Sequence, residues 1–340
     1  MAISNNLGTS PTPSPTVEHA FGVFDRELGL DPDERARAQE FHRELTSRLK
    51  EAGVIVDAFL QGSFARKTML KPLRDIDKVV ILHPQHEDLQ IAPDGAVKAA
   101  QLVEGVLTYE YPDAAIERAR HAIQLDLGEN TFGFDVVPAF EGRDESDDVM
   151  IMDLAPEKYP WKRSNTRTLI DVVAERNDKC NGSFVHQVRF MKHWAQRTLD
   201  ESLPGLHVES IAFLAIEGEM PHAIAVARIF RVGAQLLGGV GYTDPTGVDR
   251  LSGKLDQVSR EAARQAFAEA DAKANQALLL DSNGRTEEAL ALWYEIFDEP
   301  FPRRQLTGEE YLTNLSLGAP VSTGIRPKKP QTTPTRPWAP

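Results

Sequence analysis

The run Asp75-Ile76-Asp77-Lys78-Val79-Val80-Ile81-Leu82 is rich in β-branched residues and stops just before Pro84, which predicts a strand. Side chains alternate across a strand, so Asp75 and Asp77 point to one face, about 7 Å apart. Two carboxylates so placed repel unless a cation lies between them. Mg²⁺, with Mn²⁺ able to substitute, suits the pair, because it takes one or two carboxylates and completes its shell with water and substrate phosphates. Alone, an Asp-x-Asp is a common motif, read as the end of the Leu73-Arg74 turn and a half-exposed acid. Its neighbours change that reading. Gly62-Ser63 stands a dozen residues upstream, after a strand and before a short helical piece. Glycine admits a close backbone approach, and the N–H groups that follow, with the Ser63 hydroxyl, can cradle a terminal phosphate. Downstream, Asp135 is an acid inside the otherwise apolar run Phe132–Val137, a costly place unless it is paired or metal-bound. Asp75, Asp77 and Asp135 are therefore the candidate catalytic metal ligands. Two ions about 3.5–4 Å apart would serve both the attacking and the leaving oxygen of an in-line phosphoryl displacement.

The elements that must position these residues fall into two halves. Residues 1–16, rich in Ser, Thr, Pro and Asn, read as a disordered arm. The first helix starts at Asp31-Pro32-Asp33-Glu34, where Asp31 can cap and Pro32 suits the first turn, and Gly53 ends it. A strand over Val54–Leu60, a helical piece over Phe64–Thr68, the Asp75 strand and a helix over Ala96–Tyr109 follow. HAIQLDL and TFGFDVVPAF flank Gly128-Glu129-Asn130 as an antiparallel hairpin. The acidic stretch after it, including Asp144–Asp148, reads as a solvated loop. From about Pro156 the pattern turns helical, with helices expected over Ser183–Thr198, Glu209–Glu219, Ala223–Leu237, Leu255–Leu279 and Thr286–Phe297. The proline-rich residues 318–340 read as a disordered tail. The expected organisation is α+β: a palm domain over 17–155 with an N-terminal spine helix, then a helical lobe over 156–317.

Fifty-one acidic against 38 basic side chains give a net charge of −13, which argues against long nucleic acid as the main substrate. No run of about 18 apolar residues is present to span a membrane. The lone Cys180 cannot form an internal disulfide, and the N-terminus lacks the pattern of a signal peptide, so a cytoplasmic setting is expected.

QGSFARKTMLKPLRDIDKVVIL followed by FDVVPAF resembles the nucleotidyltransferase superfamily with a polymerase-β-like palm. VRFMKHW, LPGLHVESIAFLAIE and TDPTG resemble the helical half of oligoadenylate synthetases and cyclic GMP–AMP synthase-like enzymes. The likeness runs over residues 30–255 and is nearest to the bacterial cyclic GMP–AMP synthase/DncV-like nucleotidyltransferases of anti-phage (CBASS) signalling. It implies an active site between palm and helical lobe. The substrates would be ATP and other nucleoside triphosphates, the product a cyclic di- or trinucleotide that activates a separate effector protein. It assigns Gly62 and Ser63 to the donor's phosphates, the three aspartates to metal, and Lys192 to the donor triphosphate, where the bland alternative is a surface lysine beside Trp194. Arg189 lies one helical turn earlier on the same face and is expected to assist. One departure concerns Gly205-Leu206, where relatives often carry Ser or Gln and then an aromatic. That leaves Tyr242 or Trp194 to stack on the donor base. His193 reads as a packing residue, and the tail as a contact for a regulatory protein rather than part of catalysis. The rival readings are a linear 2′–5′ oligoadenylate synthase, a tRNA or small-molecule nucleotidyltransferase, and a non-catalytic nucleotide-binding scaffold. Retention of three mutually repelling carboxylates disfavours the last.

Overall fold

The structure, a computed structural model, describes residues 15–303 apart from 129–131, 143–147, 156–158, 201 and 240. The N-terminal arm up to residue 14, the tail 318–340 and most of the acidic loop lie outside the described residues.

Asp31 caps as its sequence suggests: its carboxylate accepts the Asp33 amide at 2.8 Å, and helix α2 (Pro32–Glu51) follows. Its Ala38, Leu45 and Leu49 are buried against a mixed sheet. Strands β1 (Ile55–Leu60) and β2 (Asp75–Leu82) are antiparallel neighbours, joined through the one-turn helix α3 (Gly62–Ala65). Helix α4 (Gly95–Glu110) covers the same face as α2. Strands β3 (Ala115–Arg118), β4 (Ile123–Asp126) and β5 (Gly133–Glu141) then form a meander, with β4 and β5 paired antiparallel as the hairpin pattern predicts. Strand β5 inserts beside β2 in parallel, giving the order β1-β2-β5-β4-β3. Short strands β6 (Val149–Met152) and β7 (Trp161–Ser164) extend the sheet from the far end of β5.

Parity decides what each face does. Ile76, Val80, Leu82, Phe134 and Val136 lie in the core beneath α2 and α4. Val79, Ile81, Val137 and Ala139 line the other face with Phe59, Ala122, Val149 and Ile151, in a smaller cluster. The aspartates share the parity of this second face.

The helical lobe comprises α5 (Thr166–Lys179), α6 (Ser183–Thr198), α7 (Gly205–Ala215), α8 (His222–Gly238), α9 (Gln257–Ser282) and α10 (Thr286–Phe297). Two sequence expectations are corrected here. Helix α1 (Pro15–Leu28) begins inside the expected arm and precedes the helix expected to be first. Although it falls within the 17–155 palm assignment, Val17, Phe21, Phe24 and Leu28 are buried in the helical lobe's core. Phe24 stacks on Phe190 at 5.2 Å between ring centroids, and Phe297 and Phe301 close the cluster. The apolar spacing of these four residues is helical, so the signal was present. The helix expected over Glu209–Glu219 instead starts at Gly205, just after Pro204, and so places Gly205-Leu206 in its first turn.

Candidate active site

The β2–β5 register sets Asp75 opposite Gly133 and Asp77 opposite Asp135. Asp77 and Asp135 are thus side by side on adjacent parallel strands, with Asp75 two residues along. At the same place Gly133 removes bulk: a methyl group there would lie 3.3 Å from Asp75 Oδ1. Asp77 and Asp135 are half-buried, and Asp75 is exposed at the mouth. Gln124 Nε2 donates to Asp135 Oδ1 at 3.3 Å from the neighbouring β4.

Electrostatics confirm the crowding. Burial, then the neighbouring Asp135, pushes the Asp77 carboxyl from 3.8 up to about 7, with Arg66 opposing. Burial and Asp75 push Asp135 up to about 6. Among the described residues no three His, Cys, Asp or Glu groups form a cluster able to hold a metal ion by themselves. The aspartates are an open set of hard oxygen donors. That fits an ion completed by water and substrate phosphates better than one enclosed in a protein cage.

The Gly62-Ser63 turn is built against this set. Gly62 has φ +67°, and a methyl group on it would lie 1.8 Å from Asp77 Oδ2, so only glycine fits. The Gln61 amide donates to the Asp77 carbonyl at 2.9 Å, locking the turn to β2. The Ser63 hydroxyl has no hydrogen-bond partner among the described residues and is available to a ligand.

Lys192, on α6, is no surface lysine: it is 8% exposed and donates to Thr68 Oγ1 at 2.9 Å and Glu209 Oε2 at 3.3 Å. Burial lowers its pKa, while Glu209 and Asp77 favour the charged form. Gly205 borders it, with room for a methyl group 3.5 Å from Lys192 Cε. Arg189, expected beside Lys192, is directed elsewhere. Its guanidinium pairs with Asp25 of α1 at 2.5 Å and donates to the Lys67 carbonyl at 3.0 Å. Neither expected stacking residue is free. Tyr242 is 4% exposed, its hydroxyl bonded to His207 Nδ1 at 2.7 Å, and Trp194 packs edge-on between Phe230 and Phe267. His193 packs edge-on against Phe24, with Nε2 3.1 Å from the Phe297 carbonyl oxygen.

Three residues escaped the sequence reading: Arg66, Thr68 and Glu209. Glu209 receives Arg66 Nε at 2.5 Å and Thr68 Oγ1 at 2.8 Å in addition to Lys192. Burial pushes its carboxyl up, but the two cations and the Thr68 hydroxyl outweigh it and hold the pKa below the ordinary value. The sign that exposed Asp135, an acid inside an apolar run, also marks Glu209 in LHVESIAFL.

A phosphate-sized turn pressed against carboxylates on paired parallel strands, with a buried lysine from a helical lobe beside it, defines a polymerase-β-like nucleotidyltransferase. Residues 16–177 match the Second Messenger Oligonucleotide or Dinucleotide Synthetase domain. The chain is a nucleotidyltransferase of this cyclic GMP–AMP synthase/DncV-like family. A probable cyclic nucleotide synthase of Bacillus cereus (strain VD146) is 21% identical over 329 residues, covering 85% of this chain and 99% of the relative. CdnC of E. coli MS115-1, solved with ATP, superposes with a TM-score of 0.67 at 16% identity, over 84% of this chain and 98% of that one. The DncV cyclic AMP–GMP synthase of Vibrio cholerae gives 0.64 at 14% identity, over 86% and 98%. At these identities the two solved structures establish the fold. The family is in general metal-dependent. No helix among the described residues is long and apolar enough to cross a membrane.

Proposed function

We propose that the protein joins nucleoside triphosphates, ATP among them, into a cyclic di- or trinucleotide with release of pyrophosphate, and that the product activates a separate effector in anti-phage signalling. The observation that carries this reading is the in-register pair Asp77–Asp135 with Gly62 closed onto Asp77. Asp75, Asp77 and Asp135 would hold Mg²⁺, or Mn²⁺ in its place. When bound, the ion supplies Lewis-acid stabilisation of the charge that develops on the phosphate oxygens. Gly62 and Ser63 hold the donor's terminal phosphates through backbone N–H groups and the free hydroxyl. Lys192 offsets charge on the departing pyrophosphate. Asp135, oriented by Gln124, receives the proton of the acceptor hydroxyl as its oxygen bonds to the α-phosphorus and the bond to the β-phosphate's bridging oxygen breaks. Base selection falls to groups other than Tyr242 and Trp194, both of which are packed into the core.

CdnC of E. coli was solved in a complex named CdnC:HORMA-deltaN. For this chain we assign contact with a regulatory protein to the tail 318–340, and a cytoplasmic setting to the whole. The test is incubation with each nucleoside triphosphate and Mg²⁺ or Mn²⁺, followed by phosphatase and mass spectrometry. A product that phosphatase leaves intact is expected, since ring closure consumes the last triphosphate. A phosphatase-sensitive ladder would identify a linear oligonucleotide synthase instead.

A further inference from the structure

The buried ionic cluster around Glu209 contains two groups to which no role has yet been given. Glu209 (α7) has a side chain 0% exposed, Arg66 one 8% exposed and Lys192 (α6) one 10% exposed. Arg66 directly follows α3, so the cluster joins the palm to the helical lobe at the end of the Gly62-Ser63 turn. Two cations against one carboxylate leave a positive charge in excess, and a buried excess charge is costly unless something offsets it. The nearest other acid that senses both cations is Asp77: Arg66 favours its ionised form, and Asp77 in turn favours charged Lys192.

The donors are only partly used. Arg66 bonds Glu209 through Nε alone, and its two terminal amino groups have no hydrogen-bond partner among the described residues. Lys192 donates to Thr68 and Glu209, which leaves one of its three N–H groups. A guanidinium is a rigid planar fork, so fixing Nε also fixes where the terminal amino groups point. A seam that served stability alone would need no spare donors of one charge beside a phosphate-binding turn.

We infer that Arg66 and Lys192 form a two-cation seat for the donor's triphosphate, one cation from each lobe, and that Glu209 is a positioning residue that aims Arg66 through its Nε. This deepens the nucleotidyltransferase reading and rests on it. It adds a palm-side triphosphate ligand to the Gly-Ser turn. It also explains why a fully buried acid sits where a polyanion must bind: one carboxylate holds both cations in place without cancelling them.

The experiment is calorimetric binding of inorganic tripolyphosphate to the full chain in EDTA, so that neither metal nor turnover enters. Arg66→Ala should weaken binding about tenfold or more, the size expected for a charge-assisted bidentate contact. Repeating Arg66→Ala on a Glu209→Gln background should cost less than about threefold, because an unaimed Arg66 contributes little. Should Glu209→Gln fail to fold, Glu209→Asp, which keeps the charge but withdraws it by one methylene, takes its place in the cycle. Parent-like binding by Arg66→Ala overturns the seat. An equal Arg66→Ala cost on both backgrounds overturns the role of Glu209. Full turnover by Asp77→Asn would sink the underlying nucleotidyltransferase assignment instead. A dead Asp77→Asn beside an unaffected Arg66→Ala sinks only the seat.

Discussion

Asp77 and Lys78 are adjacent on β2 and meet opposite surroundings. Lys78, 0% exposed, points beneath α2, where its ammonium donates to the His42 carbonyl at 2.9 Å and to Thr46 Oγ1 at 2.5 Å, with His42 Nδ1 2.8 Å away. Every donor on that side has a partner, and removing any of them would only cost stability. Asp77 points the other way, toward Asp135 and against Gly62, where its neighbours raise its energy when ionised. One face of the strand is satisfied and the other is held in repulsion. A fold retains unfavourable electrostatics where a ligand is to relieve them, so the unsatisfied face is the one that works.

The largest effect expected from this contrast is at Asp77. Asp77→Asn should reduce turnover by about 10²–10³-fold or more, the scale of losing one preorganised electrostatic group. The metal-free protein should be as stable as the parent or more so, since a repelling charge is gone. The pH dependence sharpens the point. A carboxyl raised from 3.8 to about 7 keeps its proton in the folded state while the unfolded chain releases it. Stability in EDTA should therefore fall as pH rises from about 4 to about 7 and level off above that. Asp77→Asn should flatten the fall. A variant that melts several degrees lower at pH 7 and still turns over ATP would put Asp77 on the satisfied side of the comparison.

The second effect is at Lys192. Lys192→Ala should weaken ATP use by one to two orders of magnitude, about 1.5–3 kcal/mol for a hydrogen bond to a charged group. Steady-state kinetics with unchanged KM and kcat would leave Lys192 only as a counter-ion of Glu209.

Asp75, Asp77, Asp135, Gly62 and Ser63 were legible in the sequence because each rests on local rules: strand alternation, an acid in an apolar run, a glycine before a helical turn. The hairpin that delivers Asp135 was equally local, and the helix caps at Asp31 and Gly53 follow from single side chains. The Glu209 cluster was not legible, because Arg66 and Glu209 are 143 residues apart and only the packing of α7 against α3 brings them together. Arg189 shows the same limit from the other side. Helical spacing placed it beside Lys192, and no local rule could say that Asp25 of α1 would claim it. The strands β6 and β7 have four residues each, too few for a periodic pattern to stand out.

The third effect falls on the satisfied face and should spare catalysis. Lys78→Met fills a similar volume but strands the His42 carbonyl and the Thr46 hydroxyl, at a cost of about 1–3 kcal/mol. Burial lowers the Lys78 ammonium from 10.5 to about 7, so between pH 7 and 10 the unfolded chain holds a proton that the folded chain has lost. Stability should rise with pH across that window, the reverse of the Asp77 slope. Lys78→Met should abolish the rise while kcat per folded molecule stays near the parent's. A loss of kcat comparable to that of Asp77→Asn, in protein shown to be folded, would break the division between the two faces.

The smallest effect on nucleotide handling is expected at Arg189, although its loss should be felt in the fold. Its guanidinium ties α6 to Asp25 of α1 and to the Lys67 carbonyl, and its side chain is 10% exposed. Breaking a largely buried pair leaves Asp25 short of its strongest partner, with His186 Nδ1, 2.8 Å away, as the remaining one. Arg189→Ala should therefore lower the melting temperature by several degrees, since about 1 kcal/mol corresponds to a few degrees in a protein of this size. The apparent KM for ATP should stay within about twofold of the parent's, because a charge already spent on Asp25 has none to give to a triphosphate. Two measurements on one variant separate the readings. A KM raised about tenfold with an unchanged melting temperature would mean that Arg189 leaves Asp25 when nucleotide binds, which would return it to the site beside Lys192. A lowered melting temperature with an unchanged KM fixes it as the bolt between α1 and α6. That result would also account for why the N-terminal helix, placed with the palm by sequence order, folds into the helical lobe.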